Sequence, residues 1–190
     1  MATLVVAITI GYTEWASVMK TLYTIGHSTR TIEQFIDLLK AYDIQVLVDV
    51  RTVPKSRHNP QFGQDLLAPA LNAAGVRYTH LKQLGGLRHP AKDSINIGWQ
   101  NTSFRGYADY MATGEFQQGL QELEAIAEKR TTAIMCAEAV PWRCHRSMIA
   151  DALTLQGWEV REIQSRKTAK LHELTPFLKV QDGMITYPTG

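Results

Sequence analysis

The chain has 190 residues, 45% of them hydrophobic and 20% charged, with 20 Lys and Arg against 18 Asp and Glu. That length suits one well-buried domain and is short for two, and the composition excludes a disordered chain. The net charge of +2 leaves no electrostatic footprint for nucleic acid over the whole domain, and two cysteines do not make the disulfide framework of a small secreted fold.

The opening MATLVVAITIGYTEWASV has an apolar run from Leu4 to Ile10, far too short to span a bilayer and with no Lys or Arg before it as a secretory signal would have. Residues 1–19 are expected to be a weakly ordered extension or the product of an upstream start, and residues 20–190 a single domain. TLYTIGHS (21–28) reads as a buried strand, followed by a helix capped by Thr31 with Gln34 at the reciprocal capping-box position. QVLVDVR (45–51) is β-branched and almost continuously apolar, the pattern of a strand buried on both faces. A loop with two prolines then leads to the helix QDLLAPALNAAG, which contains Pro69 and closes at Gly75, and to the strand VRYTHL. The stretch from Lys82 to Ser103 has no sustained period; a loop that long in a compact domain is more often functional than idle. One or two helices broken near Gly114 follow, then the strand TTAIMCA, the helix RCHRSMIADALTLQG and the strand WEVREI. A last helix near 168–178 and a hairpin turn at Asp182-Gly183 complete the chain.

Alternating strands and helices predict a single α/β domain with a largely parallel central sheet of about five strands and helices on both faces. Ligands of such sheets bind beyond the carboxyl ends of the strands. That rule gathers residues from distant segments. Past the first strand come Gly26, His27 and Ser28; past the second, Asp49, Arg51, Lys55 and Arg57; past the third, Gly85 and Gly86; past the fourth, Cys136, Glu138, Arg143, Cys144, His145 and Arg146.

Several of these segments also carry a resemblance. YTIGHS, LVDVRTVPKSR, QLGG and CAEAVPWRCHR, in that order, resemble the family called domain of unknown function 488, over the chain from about Lys20 to the last expected helix. That resemblance implies little about activity. The segment from Thr131 to Ile163 also looks like the strand–cysteine loop–helix–strand unit of rhodanese-like proteins, and VLVDVR is similar to their strand ending in Asp-x-Arg. Such a resemblance implies a thiolate that attacks a sulfane sulfur or phosphoryl group while backbone N–H groups and an arginine hold the anion. Cys136 holds the position this resemblance prefers, but the loop that follows is longer and carries Pro141 and Trp142.

The residues leave four readings open. A phosphate or nucleotide pocket would use the guanidinium groups of Arg51, Arg57 and Arg146, with close backbone approach at Gly26, Gly85 and Gly86. Thiol chemistry would use Cys144, beside three basic groups near a helix N-terminus, with Cys136 a small buried hydrophobe. Zinc on Cys136, Cys144, His145 and His27 is a lesser alternative, because an adjacent Cys-His pair converges awkwardly on one ion and no C-x-x-C is present. A binding module would stack bases on Trp99, Phe104, Tyr107 and Tyr110, although aromatic residues at this spacing more often belong to a core.

The expectation is therefore an enzyme-like domain with an anion pocket at the strand ends, in a reducing cytoplasm, with no cofactor. Its ligand would be small and phosphate-bearing, such as a nucleotide or a nucleic-acid end; a membrane partner is not expected. His27, Asp49, Glu138, Cys144 and His145 are the candidate acid, base and nucleophile groups. Gly26, Ser28, Arg51, Arg57, Gly85, Gly86 and Arg146 are the candidate ligand-binding groups. Asp49–Arg51 and Glu138–Arg146 are also candidates for internal ion pairs that fix the loops.

Overall fold

A computed structural model describes residues 20–189, so the expected N-terminal extension lies outside the described residues. The elements run β1 (Thr21–Gly26), α1 (Ile32–Ala41), β2 (Val46–Asp49), α2 (Gln64–Ala73), β3 (Arg77–His80), α3 (Thr102–Tyr110), α4 (Gly114–Ala127), β4 (Thr132–Cys136), α5 (Arg146–Leu155), β5 (Glu159–Ile163), β6 (Ala169–Leu171), β7 (Lys179–Gln181) and β8 (Met184–Thr186). Thr31 and Gln34 form the expected capping box, Thr31 accepting from the Gln34 N–H while the Gln34 side chain accepts from the Thr31 N–H. Pro69 lies inside α2, where it forfeits one helical hydrogen bond. Burial of Leu67 and Leu71 on the sheet, worth about 1.5–3 kcal/mol per side chain, holds the helix across that defect.

Six strands form one sheet in the order β3-β2-β4-β1-β5-β6, parallel except for the edge strand β6, while β7 and β8 make a separate hairpin. The hairpin turns at Asp182 and Gly183, both with positive φ (50° and 76°), as Asp-Gly favours. Period-2 alternation sorts the side chains to two cores. Leu47, Ala133 and Met135 pack with Phe35, Leu39, Leu67 and Leu71 of α1 and α2. On the other face Val48, Ile134 and Cys136 pack with α3, α4 and α5 through Tyr107, Phe116, Leu120 and Met148. Cys136 therefore points toward the face that α5 covers.

The helix expected near 168–178 is absent. Its place is taken by β6, paired antiparallel to β5, and by an irregular segment that leads to Pro176. A fully buried carboxylate holds this segment: Asp151 of α5 accepts from His172 Nε2 at 2.8 Å, from the Thr175 N–H at 3.0 Å and hydroxyl at 2.7 Å, and from the Tyr187 hydroxyl at 2.9 Å. That network comes from three separate parts of the chain and outweighs a weak local helical preference.

Candidate active site at the strand ends

β4 lies between β2 and β1, so the carboxyl ends of three parallel strands open side by side. Beyond Cys136 the chain crosses over β1, and the ladder continues there: the His27 N–H donates to Cys136 O at 3.0 Å and the Ser28 N–H to Ala137 O at 2.9 Å. A Cβ on Gly26 would lie 1.9 Å from Glu138 O, so only glycine admits this crossing. A 3-10 turn at Pro141–Arg143 then reverses the chain, the Cys144 N–H donates to Pro141 O at 2.9 Å, and α5 begins. The loop thus brings Cys144 and His145 back over Cys136.

The resulting cluster is compact. His145 Nε2 donates to Val50 O at 2.8 Å, and since a carbonyl only accepts, Nδ1 carries the lone pair whenever the ring is neutral. Nδ1 faces both sulfurs, at 3.8 Å from Cys144 Sγ and 4.0 Å from Cys136 Sγ, and the three atoms lie within 4.8 Å of one another. Tyr107, with its ring centroid 4.9 Å from that of His145 and its hydroxyl donating to Leu84 O at 2.9 Å, fixes the imidazole from one side. Gly86 packs against the ring as well, so closely that a Cβ there would sit 2.8 Å from Nδ1.

The two thiols are shifted in opposite directions. Cys144, by hydrogen bonding to Cys136, and then His145 and Arg146, pull the Cys136 thiol well below its ordinary value against the effect of burial. The same bond, reinforced by burial, pushes Cys144 well above its own. Cys136 is thus the more acidic of the two thiols, whereas the sequence pointed to Cys144 beside its basic neighbours.

A cavity of about 380 Å³ opens over this cluster. Cys136, Cys144 and His145 line it together with the cationic side chains of Arg51, Lys55 and Arg143, the carboxylate Glu138, and the apolar Val53, Leu87, Phe104 and Tyr107. Of the residues expected at the site, Arg51, Gly86, Glu138, Cys144 and His145 line the cavity; Gly26, His27, Ser28, Asp49, Arg57, Gly85 and Arg146 do not. Arg57 is exposed. Gly85 packs on the backbone of Thr52, 2.8 Å from where its Cβ would be. Ser28 takes a positive φ of 49° in the turn beneath the loop. His27 is buried, stacks on Phe62 with centroids 4.2 Å apart, and donates from Nδ1 to Ser28 O at 2.8 Å. Burial lowers its pKa, so His27 is neutral.

Two buried ion pairs frame the cluster. Asp49, fully buried, accepts from Arg51 Nε at 2.9 and 3.1 Å, from Arg51 Nη2 at 2.5 Å and from the Tyr78 hydroxyl at 2.7 Å. The expected Glu138–Arg146 pair does not form. Glu138 is exposed and gives only its carbonyl, to Arg146 Nη1 at 3.1 Å; the ion-pair partner is Glu162 of β5, with Oε1 3.1 Å from Nη2. Glu162 also accepts from the Thr24 hydroxyl, and burial still holds it above the ordinary carboxylate range, Arg146 offsetting that only in part. Of the aromatic residues considered for base stacking, Tyr107 and Tyr110 are core residues, and Trp99 packs on Phe104 and Phe177.

Fold and cluster together define a parallel α/β domain with a thiol–imidazole site at the carboxyl ends of its strands. A family model described as a domain of unknown function, DUF488, matches residues 31–153, and the chain belongs to that family. The matched span runs from the cap of α1 into α5 and so contains the whole Cys136–Cys144–His145 cluster. No match was found among curated proteins or among solved structures.

Proposed function

We propose that this domain is an enzyme acting on a small anionic, phosphate-bearing ligand held in the cavity over the Cys136–Cys144–His145 cluster. The observation that carries the reading is the convergence of Arg51, Lys55 and Arg143 on one cavity whose wall holds two thiols and an imidazole. The cations would bind the anion; Cys136, His145 and Glu138 would supply nucleophile, base and acid. A nucleotide or nucleic-acid end is the ligand class this favours. Among the described residues no helix is long and apolar enough to cross a membrane, and both cysteines are free thiols, which suits a reducing cytoplasm.

The test is a titration with inorganic phosphate and a nucleoside monophosphate, followed by calorimetry. Lys55 and Arg143 are exposed, so Lys55→Ala and Arg143→Ala should fold normally. Each should weaken binding roughly tenfold, equivalent to about 1.4 kcal/mol. Unchanged affinity in the double variant would remove the reading.

One observation favours a second reading, cysteine-dependent sulfur transfer: Cys136 ends β4 on the cavity wall, where its neighbours pull its thiol below the ordinary value. With thiosulfate as donor, the Cys136 thiolate would attack the outer sulfur, the S–S bond would break, and sulfite would leave with the electron pair. Mass spectrometry should then find one added sulfur on Cys136, absent in Cys136→Ser.

A further inference from the structure

The geometry points to a zinc site formed by Cys136, Cys144 and His145, with its fourth position open to the cavity. This goes beyond the anion reading and stands without it. Zinc–sulfur bonds of about 2.3 Å and zinc–nitrogen bonds of about 2.0–2.1 Å at tetrahedral angles put sulfur and nitrogen ligands about 3.6 Å apart. The two sulfur–nitrogen separations here are 3.8 and 4.0 Å, and all three donor atoms fall within 4.8 Å of one another. The sulfur–nitrogen separations need to contract by only a few tenths of an ångström to close on an ion, and the sulfur–sulfur separation by about 1 Å at most.

Three features beyond distance favour a metal over a chance cluster. His145 presents the unprotonated nitrogen because its other nitrogen is held by Val50 O at 2.8 Å, the outer contact that orients a metal-binding histidine. Gly86 packs on the imidazole without a side chain, so Nδ1 is not crowded by the Cβ that any other residue would place 2.8 Å from it. Two thiolates neutralise a divalent cation, so the complete site adds no net charge to a wall that already contains Arg51.

The backbone also removes the sequence-based objection to adjacent ligands. Cys144 is extended (φ −140°, ψ 139°) and His145 is helical (φ −55°, ψ −17°), and this change of conformation turns both side chains toward Cys136. Soft sulfur and imidazole donors select zinc over calcium or magnesium, which take oxygen. Three protein ligands beside a cavity leave a position for water or a ligand oxygen, as in catalytic rather than structural zinc sites. A zinc-bound Cys136 is no free nucleophile and a zinc-bound His145 no free base, so the metal excludes sulfur transfer and those two roles, and leaves only anion binding by Arg51, Lys55 and Arg143 independent of it.

The experiment uses the full chain, purified with reductant and stripped by chelator, then titrated with zinc against a chromogenic chelator and with cobalt(II) by absorption. The expected result is one equivalent of tightly held zinc per chain and thiolate-to-cobalt charge-transfer absorption. Cys144→Ser and His145→Gln should each weaken zinc by more than the roughly 10- to 100-fold typical of losing an outer-shell partner. No zinc uptake by the folded chain, with both cysteines still titrating as free thiols, overturns the site. So does uptake that both variants leave unchanged. If Cys144→Ser fails to fold, His145→Gln and the unsubstituted chain still decide. Phosphate binding to the stripped chain, with Lys55→Ala and Arg143→Ala, is read separately, so loss of the anion reading leaves the zinc result standing, and the reverse.

Discussion

The two buried arginine–carboxylate pairs beside the thiol cluster look alike as chemistry and differ as construction. Asp49 and Arg51 are two residues apart at the end of β2, and their pair closes a local turn that the Tyr78 hydroxyl and Phe62 O complete. Arg51 still lines the cavity. Arg146 and Glu162 stand 16 residues apart, at the start of α5 and in β5, and their pair fastens the cysteine loop to the sheet through Glu138 O. Arg146 is fully buried and lines a separate cavity of about 300 Å³ with Glu162 and His172. One arginine can serve a ligand; the other positions the loop that carries the thiols.

Breaking the long-range pair should have the larger effect. Glu162→Ala leaves the Arg146 charge buried with only a carbonyl partner and should cost about 3–5 kcal/mol in urea unfolding. Because burial of Glu162 outweighs its attraction to Arg146, the pair itself contributes little net stability. The double variant Glu162→Leu/Arg146→Met should therefore recover most of the loss, and equal instability in single and double variants would contradict this account. The local pair should yield less. Asp49→Asn keeps an acceptor for Arg51 but removes the charge, and should cost about 1.5–3 kcal/mol by the same measurement. A loss as large as that of Glu162→Ala would erase the distinction.

The smallest effect concerns His27, beneath both constructions. Burial lowers its pKa in the folded protein, so below the ordinary histidine value of about 6.5 the unfolded chain binds a proton that the folded one refuses. Its contribution is therefore complete above that pH and is lost as pH falls from there toward the folded value. Urea midpoints measured between pH 7 and 5 should decline, and His27→Gln should flatten the decline. An unchanged slope would show that another group governs it.

Much of this molecule could be read from the chain. Buried β-branched runs and capped amphipathic helices repeat in α/β order, because period 2 and period 3.6 are local properties. The capping box at Thr31 and the turn at Asp182-Gly183 are likewise set by neighbours in sequence. The gathering of Arg51, Gly86, Glu138, Cys144 and His145 around one cavity followed from where parallel strands end. The tertiary structure alone decided what each group does there. Gly26 serves the passage of Glu138 rather than a ligand, Arg146 pairs with Glu162 rather than Glu138, and residues 169–171 join the sheet rather than a helix. The physical reason is the same in each case. Local pattern sets which face a residue presents, but hydrogen-bond partners, and with them the acidity of Cys136, come from segments that meet only after the sheet closes.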